Sequence, residues 1–143
     1  MKACIVDASV AVKWFLDSED DQLVDHAKVL LDSHKRGELQ FIIPDLFWAE
    51  MGNIFWKAAR TGRCSRNDAE KSLTVLQAGE WLTIPSFGLL SQAFQIALEF
   101  KRTVYDSLYV ALASESRCEL ITADEKLINA LAPYFPVKWL GAL

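Results

Sequence analysis

The sequence predicts an α/β fold in which a mainly parallel sheet is covered by helices on both faces. Three observations carry this prediction. Short apolar runs alternate with longer amphipathic stretches, the pattern of strands joined by helical crossovers. Two of those runs are followed directly by an aspartate, the position where ligands gather in parallel sheets. The chain has 143 residues, 52% hydrophobic and 24% charged, which is the balance of a single globular domain over residues 1–143 with a real core.

Residues 3–6 (Ala3-Cys4-Ile5-Val6) read as a buried strand, and a helix follows over about 9–16. Residues 20–36 place Leu23, Val24, Ala27, Leu30 and Leu31 at helical spacing, with Gly37 as the stop. Residues 39–43 form a second strand, and Pro44 suits the first turn of the next helix because its missing N–H costs little there. Phe47, Met51, Ile54 and Phe55 give that helix an apolar stripe until Gly62 interrupts it. Residues 68–78 read as a further helix with Asn67 as N-cap. Residues 81–84 are a third strand ended by Pro85, and 88–100 and 104–116 are two helices. Residues 120–122 are a fourth strand, 124–131 a short helix and 137–139 an edge strand.

The net charge is −4 and the pI is about 5.1, which argues against strong unaided binding of nucleic acid. Three cysteines (Cys4, Cys64, Cys118) lack metal-ligand spacing and cannot all pair within one chain. They read as core residues or free thiols of a reducing compartment. An acid at position 7 comes too early for a signal peptide, and no apolar stretch is long enough for a bilayer. The expectation is a cytoplasmic protein with no membrane partner. His26 and His34, both in the 20–36 helix, read as surface residues.

Four acids, Asp7, Glu50, Asp106 and Asp124, fall where this fold would bring them together. Each also has a structural reading. Asp7 is a possible helix N-cap, although Ser9 competes for that role. Glu50 lies on one helical face with Asn53 and Lys57, either as a solvated stripe or, given the bulky apolar residues around it, as a polar group needing a cleft. Asp106 suits the first turn of a helix. Thr122 and Glu125 match a capping box with Asp124 inside the turn. Together the four repel unless a cation sits among them, and their hard oxygens suit magnesium or manganese. The arrangement points to metal-dependent chemistry on phosphate esters.

Four segments carry a resemblance: Val6-Asp7-Ala8-Ser9-Val10 with Lys13-Trp14-Phe15; Glu50 with Asn53; Tyr105-Asp106-Ser107 with Tyr109 to Ala113; and Thr122-Ala123-Asp124 with Leu127. In this order, over nearly the whole chain, they resemble the PIN domain and most closely its VapC-type toxin branch. Ser107 departs slightly, since the family more often has Ala there. The resemblance implies a three-layer α/β/α sandwich with a parallel sheet of about five strands. It implies a metal-dependent endoribonuclease, the toxin half of a toxin–antitoxin pair, held in check by a VapB-like antitoxin and usually a homodimer. By motif match, Asp7, Glu50, Asp106 and Asp124 form the acidic site, supported by Ser9, Asn53 and Thr122.

On this reading a Mg²⁺- or Mn²⁺-activated water hydrolyses an RNA phosphodiester, with Asp7 and Asp106 as the leading metal ligands and Glu50 and Asp124 completing the sphere. Lys57, Arg60, Arg63 and Arg66, with Lys101 and Arg102, are candidates for gripping RNA phosphates, or else a solvated basic surface. The many aromatics read mainly as core, with part available for a partner or a dimer. Two other readings stand beside this one: a PIN-fold binding module without activity, and a haloacid dehalogenase-type phosphatase. The phosphatase needs a second Asp two residues after the first, where this chain has Ser9.

Overall fold

The computed structural model describes residues 2–16 and 20–143. Among them, β1 (Lys2–Val6), β2 (Leu39–Pro44), β3 (Trp81–Ile84), β4 (Glu119–Thr122) and β5 (Val137–Trp139) form one sheet in the order β3-β2-β1-β4-β5. Every neighbouring pair is parallel. The helices are α1 (Ala8–Ala11), α2 (Val24–Lys35), α3 (Leu46–Arg60), α4 (Arg66–Ala78), α5 (Leu90–Phe100), α6 (Val104–Ser116) and α7 (Glu125–Leu131), with short 3₁₀ turns at Val12–Trp14, Ser86–Leu89 and Leu140–Ala142. The expected three-layer α/β/α arrangement with a five-stranded parallel sheet is the observed one.

The core follows from the sequence pattern. Ile5 and Val6 of β1, Phe41 and Ile43 of β2, and Leu120 of β4 are wholly enclosed. A central strand of a parallel sheet is covered on both faces, which is why these runs are apolar without alternation. Helix α6 is buried from Ser107 to Ala113 without a break. It packs on β1, β2 and β4 and is covered in turn by α5, the situation of a helix that is apolar all round.

Several local expectations are corrected. The first helix stops at Ala11, and the chain tightens into the 3₁₀ turn, where the Trp14 indole N–H donates to the Ala27 carbonyl at 2.8 Å. The second helix begins only at Val24, because Asp21 holds a turn before it, accepting from the Leu23 N–H at 2.9 Å and pairing with Lys13. Pro44 closes β2 instead of opening α3, and Asp45 makes the junction by accepting from the Ser86 N–H at 3.1 Å. Ser65, not Asn67, caps α4, with its extended backbone aiming Oγ at the Asp68 N–H at 3.0 Å. His34 is half-buried rather than a free surface residue: its ring stacks on Phe41 at 4.3 Å and its Nδ1 meets the Leu39 carbonyl at 2.8 Å. The three cysteines are unpaired, and burial pushes the Cys4 thiol up to about 12.

Candidate active site

The sheet order sets the location. The chain builds outward from β1 through β2 to β3, then returns to the other side of β1 with β4. The crevice at the carboxyl ends of β1 and β4 is therefore the topological switch point. Asp7 follows β1 directly, and Thr122 is the last residue of β4.

The Asp7 carboxylate is fixed by three donors. Its Oδ1 accepts from the Ser9 N–H at 3.1 Å and from Ser9 Oγ at 2.5 Å. Its Oδ2 accepts from Thr122 Oγ1 at 2.5 Å. Each hydroxyl has one proton and gives it to Asp7, so each oxygen is left as an acceptor. Ser9 Oγ takes the Ala123 N–H at 2.9 Å and Thr122 Oγ1 takes the Asp124 N–H at 3.1 Å. The two hydroxyls thus tie the carboxylate to the turn that leaves β4. Asp7 also caps α1, so the capping role and the site role coincide. Burial pushes its pKa up to about 6, and the nearby Asp106 charge adds to the rise; the Ser9 and Thr122 hydroxyls and the Val10 N–H oppose it.

Glu50 projects from α3 and receives the Tyr109 hydroxyl on Oε1 at 2.5 Å. Burial raises its pKa, as do the charges of Asp7 and Asp106, while the Tyr109 bond opposes the rise. Tyr109 itself is pushed upward by burial first and by the Glu50 charge next, so it stays protonated as a donor. Asp106 lies in the first turn of α6. Thr103 caps that helix by accepting the Asp106 N–H at 3.0 Å, and Asp106 Oδ2 receives Arg102 Nη2 at 3.0 Å. Asp124 is itself the N-cap of α7, not a residue inside a Thr122–Glu125 capping box. Its Oδ1 accepts from the N–H groups of Lys126 at 3.0 Å and Leu127 at 3.3 Å, and its Oδ2 lies 3.8 Å from Arg102 Nη2.

The fold thus brings Asp7, Ser9 and Thr122 into direct contact and couples Glu50 and Asp106 to Asp7 through their charges. Asn53 is exposed and makes no hydrogen bond to these carboxylates. Of the six basic candidates, only Arg102 reaches the acids among the described residues. Arg63 donates to the Leu16 carbonyl at 2.8 Å, Arg66 pairs with Glu70 at 2.9 Å, and Arg60 sits 5.0 Å over the Trp56 ring. Lys57 and Lys101 are exposed. Sequence reasoning missed Tyr109 as the partner of Glu50. The available signal was its place one turn after Asp106, on the same face of one helix.

Among the described residues, no three His, Cys, Asp or Glu side chains close around one point as a finished metal cage. The donor set nevertheless suits a hard cation. It consists of carboxylate oxygens, and beside the larger effect of burial the Asp106 charge raises the pKa of Asp7 while the Asp7 and Asp106 charges raise that of Glu50. Magnesium takes one or two carboxylates and keeps several waters, so a closed protein cage is not required.

The chain is similar to several known proteins. The family model described as PIN domain matches residues 4–131. Ribonuclease VapC3 of Pyrobaculum aerophilum is 32% identical over 125 residues, covering 86% of this chain and 90% of the relative. The crystal structure of PAE2754 from the same organism superposes with a TM-score of 0.68 at 26% identity, covering 99% of this chain and 85% of that one. A toxin–antitoxin complex from Klebsiella pneumoniae contains a chain with the same fold, with a TM-score of 0.66 at 18% identity over 94% of this chain and 95% of that one.

Proposed function

We propose, from the premise that this chain belongs to the PIN-domain family and to its VapC-type branch, that it is a Mg²⁺- or Mn²⁺-dependent endoribonuclease acting as the toxin of a toxin–antitoxin pair. The observation that carries the reading is the Asp7 carboxylate, locked by Ser9 and Thr122 at the switch point and electrostatically coupled to Asp106 and Glu50. The name of the Pyrobaculum relative supports the ribonuclease activity, and the Klebsiella complex supports an antitoxin partner. A cytoplasmic homodimer neutralised by a VapB-like protein completes the proposal.

Asp7, Glu50 and Asp106 would hold the metal, with Asp124 at its margin. Bound there, a divalent cation supplies Lewis acidity, lowering the pKa of water and offsetting charge on the phosphate. The chain's own residues provide positioning. Ser9 and Thr122 hold Asp7 in one rotamer, and Tyr109 holds Glu50 in another. Ser9 stands where a phosphatase of the haloacid dehalogenase type needs an acid, and its proton is committed to Asp7.

Sequencing of RNA ends after incubation with Mg²⁺ tests the reading. The expected ends are 5′-phosphate and 3′-hydroxyl. A 2′,3′-cyclic phosphate, or full cleavage in excess EDTA, would overturn it. Exposed Lys57, Arg60, Arg63, Arg66 and Lys101 are proposed as phosphate contacts, so cleavage should weaken steeply with added salt.

A further inference from the structure

We propose that Arg102 is a built-in counter-ion of the carboxylate site, holding Asp106 and Asp124 in the metal-free protein and competing with a divalent cation for them. The inference rests on the metal-dependent reading above and extends it to a residue with a different task from gripping RNA.

The backbone aims Arg102 at the acids. Lys101 ends α5 in the left-handed conformation at φ 56°, and Thr103 caps α6 two residues later. The Arg102 side chain between them is only 20% exposed, and it reaches both acids through one nitrogen, Nη2, at 3.0 Å from Asp106 and 3.8 Å from Asp124. Asp124 spends its Oδ1 on the cap of α7, so its one open oxygen is the one facing Arg102.

The pairing is also incomplete. Strong arginine–carboxylate pairs are frequently made through two parallel N–H bonds. Here Nε is buried and has no hydrogen-bond partner, and a buried donor left unmade is destabilising. The contact therefore balances charge without using the full fork. Arginine keeps its charge at every working pH, so a cation that takes Asp106 must displace the guanidinium from it.

Calorimetric titration with Mn²⁺ tests this on wild type, Arg102→Gln and Arg102→Lys. The expected result is roughly tenfold tighter Mn²⁺ binding by Arg102→Gln, a change of about 1.4 kcal/mol, and near wild-type binding by Arg102→Lys. In EDTA, Arg102→Gln should melt about 3 °C lower, because the acids lose their counter-ion. Unchanged or weaker Mn²⁺ binding by Arg102→Gln, with wild type binding normally, overturns the role of Arg102 alone. Absence of Mn²⁺ binding in all three proteins overturns the metal reading and the competition with it. A wild-type structure determined with Mn²⁺ bound tests the competition without any variant. Loss of the Arg102–Asp106 bond supports the inference, and persistence of that bond overturns it.

Discussion

At the carboxyl ends of β1 and β4 the protein sets acids against hydroxyls, whereas toward the amino ends of β2 and β3 it stacks rings on rings. Phe41 lies between Trp14 at 5.4 Å, Trp81 at 5.3 Å and His34 at 4.3 Å, and Phe47 meets Trp81 at 5.0 Å. Ring stacking and apolar burial are favourable in themselves. Enclosing Asp7 and Glu50 is not, as their raised pKa values record. The contrast teaches a division of labour: the aromatic region supplies stability that the acidic region consumes. Damage at one end should therefore be separable from damage at the other.

The largest effect is expected from Trp81→Ala, which removes the ring shared by five aromatic contacts and the N–H bond to the Leu76 carbonyl at 2.9 Å. Denaturant unfolding should show a loss of about 4 kcal/mol, with RNA cleavage per folded molecule retained. If cleavage collapses while the protein is still folded, the two regions are not independent.

The acidic end should reveal itself through pH. Asp7 rises from an ordinary value of 3.8 to about 6 in the folded state, so between those values the folded chain holds a proton that the unfolded chain has lost. Its contribution to stability is present below about pH 4 and is lost as pH rises through 6, amounting to about 3 kcal/mol in total. Unfolding in EDTA should accordingly show greater resistance at pH 5 than at pH 7, and Asp7→Asn should flatten that slope. A slope of the opposite sign would refute the burial of a strained carboxylate.

Asp7→Asn should at the same time lower cleavage by about 100-fold or more without loss of stability at pH 7, the reverse of the Trp81→Ala pattern. Thr122→Val keeps the shape of the side chain and removes the hydroxyl, so cleavage should fall about tenfold. Smallest is Tyr109→Phe, which takes the donor from Glu50 and should cost about 1 kcal/mol in thermal or chemical unfolding.

The sequence carried more of the acidic end than of the aromatic one. Asp7, Ser9 and Thr122 sit at strand ends, where short apolar runs and their boundaries announce them. Their mutual contact spans 115 positions between Asp7 and Thr122, yet strand ends in a parallel sheet are bound to meet if the strands are neighbours. The Glu50–Tyr109 bond was legible only from one side: spacing puts Tyr109 on the face of Asp106, but its meeting with Glu50 depends on how α3 and α6 pack. Arg102 showed the same limit. Its positive charge suggested RNA, and only the left-handed turn at Lys101 reveals that it points at Asp106. His34 looked like a surface residue because a polar ring in an amphipathic helix carries no sign that it will stack on a strand phenylalanine. The caps failed for a local reason: Ser65 and Asn67 are both good caps by type, and the choice between them is made by the backbone at Ser65.

The sheet order has a consequence for how the protein is made. Asp7 is synthesised together with β1, but the groups that complete its surroundings arrive with β4, more than a hundred residues later. The segment through β3 holds the strands that pair on one side of β1 and lacks the strand that makes the crevice on the other. The site comes into being only when β4 slots in beside β1. For a protein proposed to destroy RNA, that order of assembly withholds the complete site until β4 has been made.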